Sequence, residues 1–283
     1  MQKCDAHWKE LWSGRCRTLA NERVGEGVMK ITLDAPEFAR RAKPGQFLML
    51  RLPERFDPLL GRPFAVYDAD AASGRVQALY AIVGKGTRLL AATQVGEPLE
   101  LWGPLGNGWD VANWRRAKRL ALVAGGVGTA PFYMLLKEIA QTPEAERPRT
   151  TFVFGARSSE RLTGIEEFRA LGVADVRAAT EDGSAGTKGF ATDALADALG
   201  DDFEPAETTI LACGPTPMLR AVARWSASRG AKCWTSLESS MACGLGICFS
   251  CVVEWKTDEG TWDYRRACVD GPVFDAARLK WES

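Results

Sequence analysis

Residues 119–136 read RLALVAGGVGTAPFYMLL, an apolar run, a glycine-rich turn and a second apolar run. We predict a short buried strand over Arg119–Ala124, because the run is apolar and ends at a turn signal. A helix follows, with Thr129 as its N-cap and Pro131 in its first turn. The turn itself contains Gly125, Gly126, Gly128 and Thr129. This order suits a nucleotide pyrophosphate, but without the full G-x-G-x-x-G pattern it indicates by itself only a βα unit.

Further apolar runs alternate with helical segments along the next part of the chain. Such alternation predicts a parallel sheet with crossover helices. The predicted strands are Thr151–Phe154, Asp175–Ala178 and Thr208–Ala212, and the predicted helices are Ile165–Ala170, Thr192–Ala198 and Met218–Ser228. Ligands bind these sheets beyond the carboxyl ends of the strands. The segments expected there are Gly125–Thr129, Gly155–Ser158, Glu181–Gly183 and Cys213–Met218.

The first third of the chain has short β-type segments separated by glycine and proline. Glu26–Leu33 alternates between apolar and polar residues, and similar short segments follow it. They are Gln46–Leu52, Phe64–Tyr67, Val76–Val83 and Pro98–Trp102. Short strands with this punctuation predict a small antiparallel barrel.

Two segments of the predicted barrel are candidates for binding phosphate. Arg62-Pro63-Phe64-Ala65 places a guanidinium beside a rigid proline at the start of a strand, where it suits charge-assisted hydrogen bonds to a diphosphate. Gly84-Lys85-Gly86-Thr87 reads as a glycine turn that directs helix N-terminal amides at an anion. Each segment also has a purely structural interpretation, as an exposed arginine before a turn or as a glycine-rich loop.

Four cysteines near the C-terminus have a spacing that indicates a metal centre. Cys243, Cys248, Cys251 and Cys268 follow the C-x4-C-x2-C…C order of plant-type [2Fe–2S] proteins. Gly244 and Gly246 allow the tight loop that this spacing needs. Zinc is an alternative, although structural zinc usually has two C-x2–4-C knuckles and only Cys248/Cys251 form one here. Two disulfides are a further alternative.

Composition excludes several classes of protein. The 283 residues, 46% apolar and 25% charged, suit a soluble globular protein of two or three domains. Equal numbers of acidic and basic residues argue against nucleic acid as a partner. His7 is the single histidine, which excludes a Ser-His-Asp triad in any usual core position, an HExxH site and a Rieske cluster. A bound cofactor is therefore expected to carry the chemistry.

The N-terminal segment predicts a cytoplasmic protein that does not enter a membrane. It lacks the apolar core of a signal peptide, and no apolar run approaches the ~20 residues that span a bilayer. Reduced thiols in that compartment favour metal or redox use over disulfides. Cys4, Cys16 and Cys233 are then expected to be packing thiols.

Taken in order, these motifs resemble the ferredoxin-reductase-type flavoproteins. With Ser236–Gly244 and Cys268–Phe274 added, nearly the whole chain resembles the electron-transfer subunits of two-protein, NAD-dependent dihydroorotate dehydrogenases of pyrimidine biosynthesis. The resemblance implies a multidomain α/β and all-β protein. It would have an FAD-binding antiparallel β-barrel over 1–112, a parallel α/β NAD-binding domain over 113–230 and a small [2Fe-2S] iron–sulfur domain over 231–283.

The resemblance also implies roles for individual residues. Cys213 would line the contact between nicotinamide and flavin, and the four cysteines above would bind the cluster. Ala65 stands where the family usually has serine, and Ala81 where arginine is common. The implied cofactor-binding set is Arg62, Pro63, Phe64, Ala65, Leu79, Tyr80, Ala81, Gly86, Thr87, Gly125, Gly126, Gly128, Thr129, Gly214 and Pro215.

The function implied is electron transfer between an FMN-containing dihydroorotate dehydrogenase catalytic subunit and NAD(H), through the cluster and FAD. The resemblance implies a heterotetramer with two copies of each chain, and dihydroorotate oxidation only with the partner. The choice between NAD and NADP stays open, because Arg157-Ser158 would suit a 2′-phosphate but does not prove one. Two alternatives stay open: a diaphorase subunit of a sulfhydrogenase or a bifurcating ferredoxin:NADP oxidoreductase, and a zinc-stapled nucleotide-binding scaffold.

Overall fold

A computed structural model describes residues 11–200 and 203–281, without the side chains of 111–113. Cys4 and His7 lie outside the described residues. Among those described, no helix is long and apolar enough to cross a membrane.

The N-terminal part is a closed antiparallel barrel, as predicted. Its six strands are ordered β1-β2-β5-β4-β3-β6 around the barrel. Their bounds are β1 Trp12–Gly25, β2 Val28–Asp34, β3 Phe47–Arg51, β4 Arg62–Asp70, β5 Arg75–Ala81 and β6 Pro98–Leu105, with helices α1 Pro36–Ala39 and α2 Lys85–Ala91 between them. The sequence did not predict β1, because Cys16 and Thr18 are its only buried residues and the apolar alternation is weak.

The second part is a seven-stranded sheet with helices on both faces. Its order is β10-β9-β8-β7-β11-β12-β15, with every neighbouring pair parallel except β12 and β15. The strands are β7 Arg119–Gly125, β8 Arg149–Ala156, β9 Asp175–Thr180, β10 Thr187–Lys188, β11 Thr208–Cys213 and β12 Lys232–Ser236, with β15 Val273–Asp275 returning from the C-terminus. The helices are α3 Val111–Arg116, α4 Ala130–Gln141, α5 Ile165–Ala170, α6 Ala191–Leu199 and α7 Thr216–Ser228.

The C-terminal segment is built into both other parts. A two-stranded hairpin of β13 Val252–Lys256 and β14 Trp262–Arg266 lies outside the sheet, whereas β12 and β15 belong to it. The domain ranges stay a prediction, but the predicted boundary at residue 230 falls inside the sheet, because β12 pairs with β11 and β15 pairs with β12. Strands β12 and β15 of the predicted iron–sulfur range thus form one edge of the sheet.

A polar cluster fixes the barrel against the sheet. Lys30 Nζ and the Tyr67 hydroxyl both donate to the carboxylate of Glu167 in α5, at 2.8 and 2.7 Å. Lys137 in α4 donates to Asp68 at 2.7 Å. Charged hydrogen bonds of this kind, partly shielded from water, are stronger than surface ion pairs. Through Tyr67 and Asp68, these bonds attach strand β4 of the barrel to helices α5 and α4 of the sheet.

Candidate functional site

Two loops meet at the carboxyl edge of the sheet, one after β7 and one after β11. The strands pair in parallel with Ala124 opposite Cys213, so their ends coincide. A β-carbon at Gly128 would lie 2.4 Å from the carbonyl oxygen of Cys213, and one at Gly214 would lie 3.0 Å from the amide nitrogen of Gly125. Glycine is needed at both positions because the two backbones touch. Gly126 and Pro215 remain exposed at this edge, where a nucleotide would approach.

Thr129 has a different local role from the one predicted. It occupies the residue before α4, but its side chain makes no capping hydrogen bond. Its hydroxyl instead donates to the carbonyl oxygen of Gly126 at 3.3 Å, and the residue is fully buried. Thr129 therefore closes the glycine turn on itself, and Pro131 lies in the first turn of the helix as expected.

Cys213 is buried at the end of β11, and burial raises the pKa of its thiol. Ser236, at the end of the adjacent strand β12, hydrogen-bonds to that thiol. The carboxylate of Glu238, two residues further on, is close enough to act electrostatically on it. Although Glu238 as a residue is exposed, its carboxyl group has lost enough hydration to raise its pKa. Sequence reasoning missed Glu238 because β12 was not predicted.

The ends of β8 and β9 bring a basic and an acidic residue together. The Asp182 amide donates to the Arg157 carbonyl at 3.2 Å. Ser184 donates to the Asp182 carboxylate at 2.6 Å and accepts from the Ser159 amide at 2.8 Å. An acidic side chain in this place suits a ribose hydroxyl, and an arginine suits a 2′-phosphate.

The candidate phosphate site brings β4 and α2 together. A β-carbon at Gly86 would lie 3.0 Å from Nε of Arg62, so the glycine leaves room for the guanidinium. Arg62 donates to the carbonyl of Leu60 at 2.7 Å, which fixes its direction. The Thr87 hydroxyl accepts from the amides of Val83 and Gly84, both at 3.0 Å. Thr87 therefore holds the turn with its side chain, which leaves the first-turn amides of α2 for an anion.

The strands predicted to contact flavin differ in what they can offer. On β4, Pro63, Phe64 and Ala65 are half-buried and lie next to β3. On β5, Tyr80 packs in the barrel core and its hydroxyl donates to Asn21 at 2.9 Å. Leu79 packs with the core of the sheet, and Ala81 is half-buried at the strand end. The Tyr80 side chain is thus inside the barrel, so β5 can contact a flavin mainly through its backbone groups.

The four cysteines come together as two pairs of thiols. Cys248 lies beside Cys243, and Cys251 beside Cys268. The Ala267 amide donates to the Cys251 carbonyl at 2.9 Å and so holds the fourth cysteine next to the third. Among the residues that the structure describes, no three of His, Cys, Asp and Glu converge as a site for one metal ion. In a [2Fe–2S] cluster bound by four cysteines, each of the two irons takes two thiolates, and two pairs of thiols match that division.

Hydrogen bonds at the cysteine loop favour the thiolate form of two of these residues. The Ser250 hydroxyl, followed by Cys243, lowers the pKa of Cys248 to about 6. The hydrogen bond between Cys251 and Cys268 lowers the pKa of Cys251 to about 6 and, with burial, raises that of Cys268. The Leu245 amide also donates to the Cys243 sulfur at 3.2 Å. The lowered pKa values of Cys248 and Cys251 favour the thiolate form that binds iron, and an amide donor such as that of Leu245 stabilises a thiolate sulfur.

The loop between the first cysteines packs tightly onto the barrel. Gly244 has a φ of 71°, and a β-carbon there would lie 2.8 Å from Met49 in β3. Trp102 in β6 donates from its indole nitrogen to the Cys243 carbonyl at 3.0 Å. Cys251 and Cys268 share one apolar cluster with Phe47, Met49 and Leu105 of the barrel. The site formed by the four cysteines therefore packs against β3, which pairs directly with β4.

Comparison with known proteins agrees with this architecture. Residues 238–280 match the family described as the iron–sulfur cluster binding domain of dihydroorotate dehydrogenase B, and residues 122–224 match the oxidoreductase NAD-binding domain. The dihydroorotate dehydrogenase B (NAD(+)) electron transfer subunit of Bacillus velezensis is 35% identical over 260 residues, 92% of this chain and 96% of that protein. The same subunit of Bacillus mycoides is 34% identical over 253 residues, 89% and 93% of the two chains.

Two solved structures have similar folds. The NADH-dependent reduced ferredoxin-NADP oxidoreductase described for flavin-based electron bifurcation is 30% identical, with a TM-score of 0.78 over 94% of this chain and 90% of that one. A ferredoxin NADP+ reductase from Neisseria gonorrhoeae has a TM-score of 0.66 at 20% identity, over 77% and 92% of the chains. The second likeness shows the fold alone.

The fold and the site define a ferredoxin-reductase-type oxidoreductase subunit that combines an NAD-binding sheet with an iron–sulfur domain. The cofactor set expected from the sequence, FAD, NAD(H) and an iron–sulfur cluster, is confirmed at the level of the family. The chain belongs to the family of dihydroorotate dehydrogenase B (NAD(+)) electron transfer subunits. The match of residues 238–280 decides against the zinc-stapled scaffold. As an electron transfer subunit, the chain has a catalytic partner.

Proposed function

We propose that this chain carries electrons between a dihydroorotate-oxidising catalytic subunit and NAD in pyrimidine biosynthesis. The observation that carries the proposal is the succession of three sites: the cysteines packed against β3, the phosphate site at the start of the adjacent β4, and the glycine loops at the carboxyl edge of the sheet. When bound, FAD can exchange a hydride with nicotinamide and single electrons with an iron–sulfur cluster. The chain's own residues hold the three groups in that order.

The residue assignments form part of the proposal. Arg62 and the amides at Gly86 and Thr87 would grip the FAD diphosphate. Pro63, Phe64 and Ala65, with the backbone of Leu79, Tyr80 and Ala81, would line the isoalloxazine. Gly125, Gly126, Gly128, Thr129, Gly214 and Pro215 would form the nicotinamide nucleotide site. Cys243, Cys248, Cys251 and Cys268 would bind the [2Fe–2S] cluster. Ala65 and Ala81 remove a hydroxyl and a charge that the family usually has, so flavin binding here depends more on Arg62 and backbone amides.

The partner would dock at the exposed edge of the cysteine loop. Cys248 is exposed, and its neighbours Ile247 and Phe249 have 66% and 60% of their surface in contact with solvent. An exposed apolar pair beside a redox ligand suits a protein interface. We infer an FMN-containing dihydroorotate dehydrogenase catalytic subunit there, in a heterotetramer of two copies of each chain. The free thiols among the described residues suit the cytoplasm. The balanced charge gives no reason to include nucleic acid.

The division of labour between the two subunits can be tested directly. The purified chain, reconstituted with FAD, iron and sulfide, should oxidise NADH with ferricyanide but should not oxidise dihydroorotate. Adding the FMN subunit should produce dihydroorotate-dependent reduction of NAD+. Dihydroorotate oxidation by this chain alone, or no coupling in the mixture, would contradict the proposal.

A second candidate function is bifurcating or diaphorase activity, which the structural similarity to the NADH-dependent reduced ferredoxin-NADP oxidoreductase favours. Assays of the same purified chain distinguish the two candidate functions. Under that alternative, NADP(H) and reduced ferredoxin would support turnover with a different partner, and the FMN subunit would add no dihydroorotate-dependent NAD+ reduction.

Cys213 and Glu238 are proposed to shape the nicotinamide side of the flavin contact. We expect Cys213→Ala and Glu238→Gln each to slow flavin reduction at saturating NADH by about 10- to 100-fold, because a small misplacement of reacting groups has effects of this size. Stopped-flow absorbance of the flavin measures the rate. Glu144→Gln, a matched change at an exposed residue of the same sheet domain, is the control. Flavin reduction rates equal to that of the control variant would show that neither Cys213 nor Glu238 shapes the nicotinamide site.

A further inference from the structure

Arg266 connects the two segments that contain the cysteine pairs. It lies two residues before Cys268, and its guanidinium donates from one terminal nitrogen to the carbonyl oxygen of Gly246 at 2.9 Å. Gly246 lies in the loop between Cys243 and Cys248. One side chain thus joins the loop of the first three cysteines to the strand that leads to the fourth.

The contact at Gly246 is closely fitted. Gly246 has a φ of 78°, and a β-carbon there would lie 2.5 Å from Val269 and 3.2 Å from a terminal nitrogen of Arg266. The loop therefore reaches the arginine only because position 246 has no side chain. The Arg266 side chain is 23% exposed, so its charge is poorly screened by water.

Arg266 also contacts Phe249, which has an unusual backbone. Phe249 follows Cys248 directly and has a φ of 58°, a left-handed conformation that costs a bulky residue free energy. The guanidinium carbon lies 5.4 Å from the centre of its ring, within the range of a cation–π contact. Asp270 holds the arginine from the other side: its carboxylate accepts from the Arg266 amide at 2.9 Å and lies 3.7 Å from Nε.

We propose that Arg266 is a positioning residue of the iron–sulfur centre. It holds the Gly246 turn and Phe249 in place, and so sets the position of Cys243, Cys248 and Cys251 relative to Cys268. Its positive charge beside the cysteines also makes the addition of an electron to a bound cluster easier, since net charge around a cluster sets its potential. The inference rests on cluster binding by the proposed function and is independent of dihydroorotate as the substrate.

The test uses the full chain with its reconstituted cluster and FAD, without a partner. Arg266→Gln should lower the equilibrium constant for cluster reduction about tenfold, which is about 59 mV for one electron. It should also shorten the half-life of the visible cluster absorbance under a chelator by about 10- to 100-fold, the effect of losing an outer partner of metal ligands. Redox titration followed by electron paramagnetic resonance measures the first, and absorbance decay the second.

Arg265→Gln is the matched control, because it removes the same charge one residue away. Arg265 pairs with Asp263 on the hairpin, whereas Arg266 bonds the cysteine loop. The control should change the reduction equilibrium less than about twofold, as expected for a more exposed charge. Equal effects of Arg265→Gln and Arg266→Gln on both readouts would overturn the proposal.

Arg266→Lys covers the case in which Arg266→Gln takes up no cluster. Lysine keeps the charge but cannot reproduce the planar fork that bonds Gly246 and covers Phe249. A near-normal potential with faster loss of the cluster supports the proposal. If Arg266→Lys matches the unaltered chain in both cluster potential and cluster half-life, the proposed positioning role of Arg266 is overturned. Because both readouts need only the cluster, a failed partner assay does not affect them.

Discussion

Cys268→Ala should abolish cluster binding and stop electron transfer between FAD and the catalytic partner. Loss of an outer partner of a ligand already costs metal affinity 10- to 100-fold, so loss of a ligand should cost more than about 100-fold. Cys268 is 1% exposed and packed with Phe47 and Met49 of the barrel, so no outside ligand can replace it without disturbing that core. Iron and sulfide analysis, with the visible spectrum, measures the loss.

The same variant should leave the flavin side of the protein working. NADH oxidation with a two-electron acceptor should stay within about twofold of the unaltered chain, since hydride transfer from nicotinamide needs only the flavin. Cys233→Ala is the matched control, because Cys233 is also a buried thiol and packs in a different core cluster. A full complement of iron in Cys268→Ala, or its loss in Cys233→Ala, would show that the cluster ligands are assigned wrongly.

Gly128→Ala should have the second largest effect, on the nicotinamide side. The new methyl group would lie 2.4 Å from the Cys213 carbonyl oxygen and 2.7 Å from the Gly214 α-carbon, so the two loops must move apart. Overpacking of this kind costs about 1–3 kcal/mol of unfolding free energy. Displacing the Cys213 loop by about 1 Å should lower kcat/KM for NADH by about 100-fold. Urea unfolding and steady-state kinetics measure the two effects.

Gly172→Ala separates the kinetic effect from simple destabilisation. Gly172 follows α5 in the same part of the chain and has a φ of 66°, and no atom of the described residues outside its immediate neighbours lies within 4 Å of the position that a β-carbon would take. Its left-handed backbone makes alanine cost about 1–2 kcal/mol, close to the stability loss expected at position 128. The substitution should nevertheless leave kcat/KM for NADH unchanged within error. A similar kinetic loss in both variants would mean that stability, and not loop contact, explains the effect.

The predictions made from local pattern agree with the structure where the segment is strongly periodic. Helix α5 has the predicted bounds, Ile165–Ala170, and the predicted strands of the barrel and of the sheet agree to within a few residues. The pattern failed at β1, whose exposed face and two small inward residues give no clear alternation. It also failed at β12 and β15, which are short and gain their stability by pairing with each other and with β11. Such pairing depends on residues that are distant in the sequence.

The sequence by itself determined the classes of group that the chain binds. The cysteine spacing, the glycine turns and the alternation of strands and helices are local, because ligand loops and βα turns need certain residues within a few positions of each other. Only the tertiary structure decided which of these segments meet. It brought Gly128 against Cys213, Arg266 against Gly246, and Glu238 within electrostatic range of Cys213. Each meeting depends on packing between segments that are far apart in the chain or on strands that local pattern did not predict, and spacing alone does not encode that.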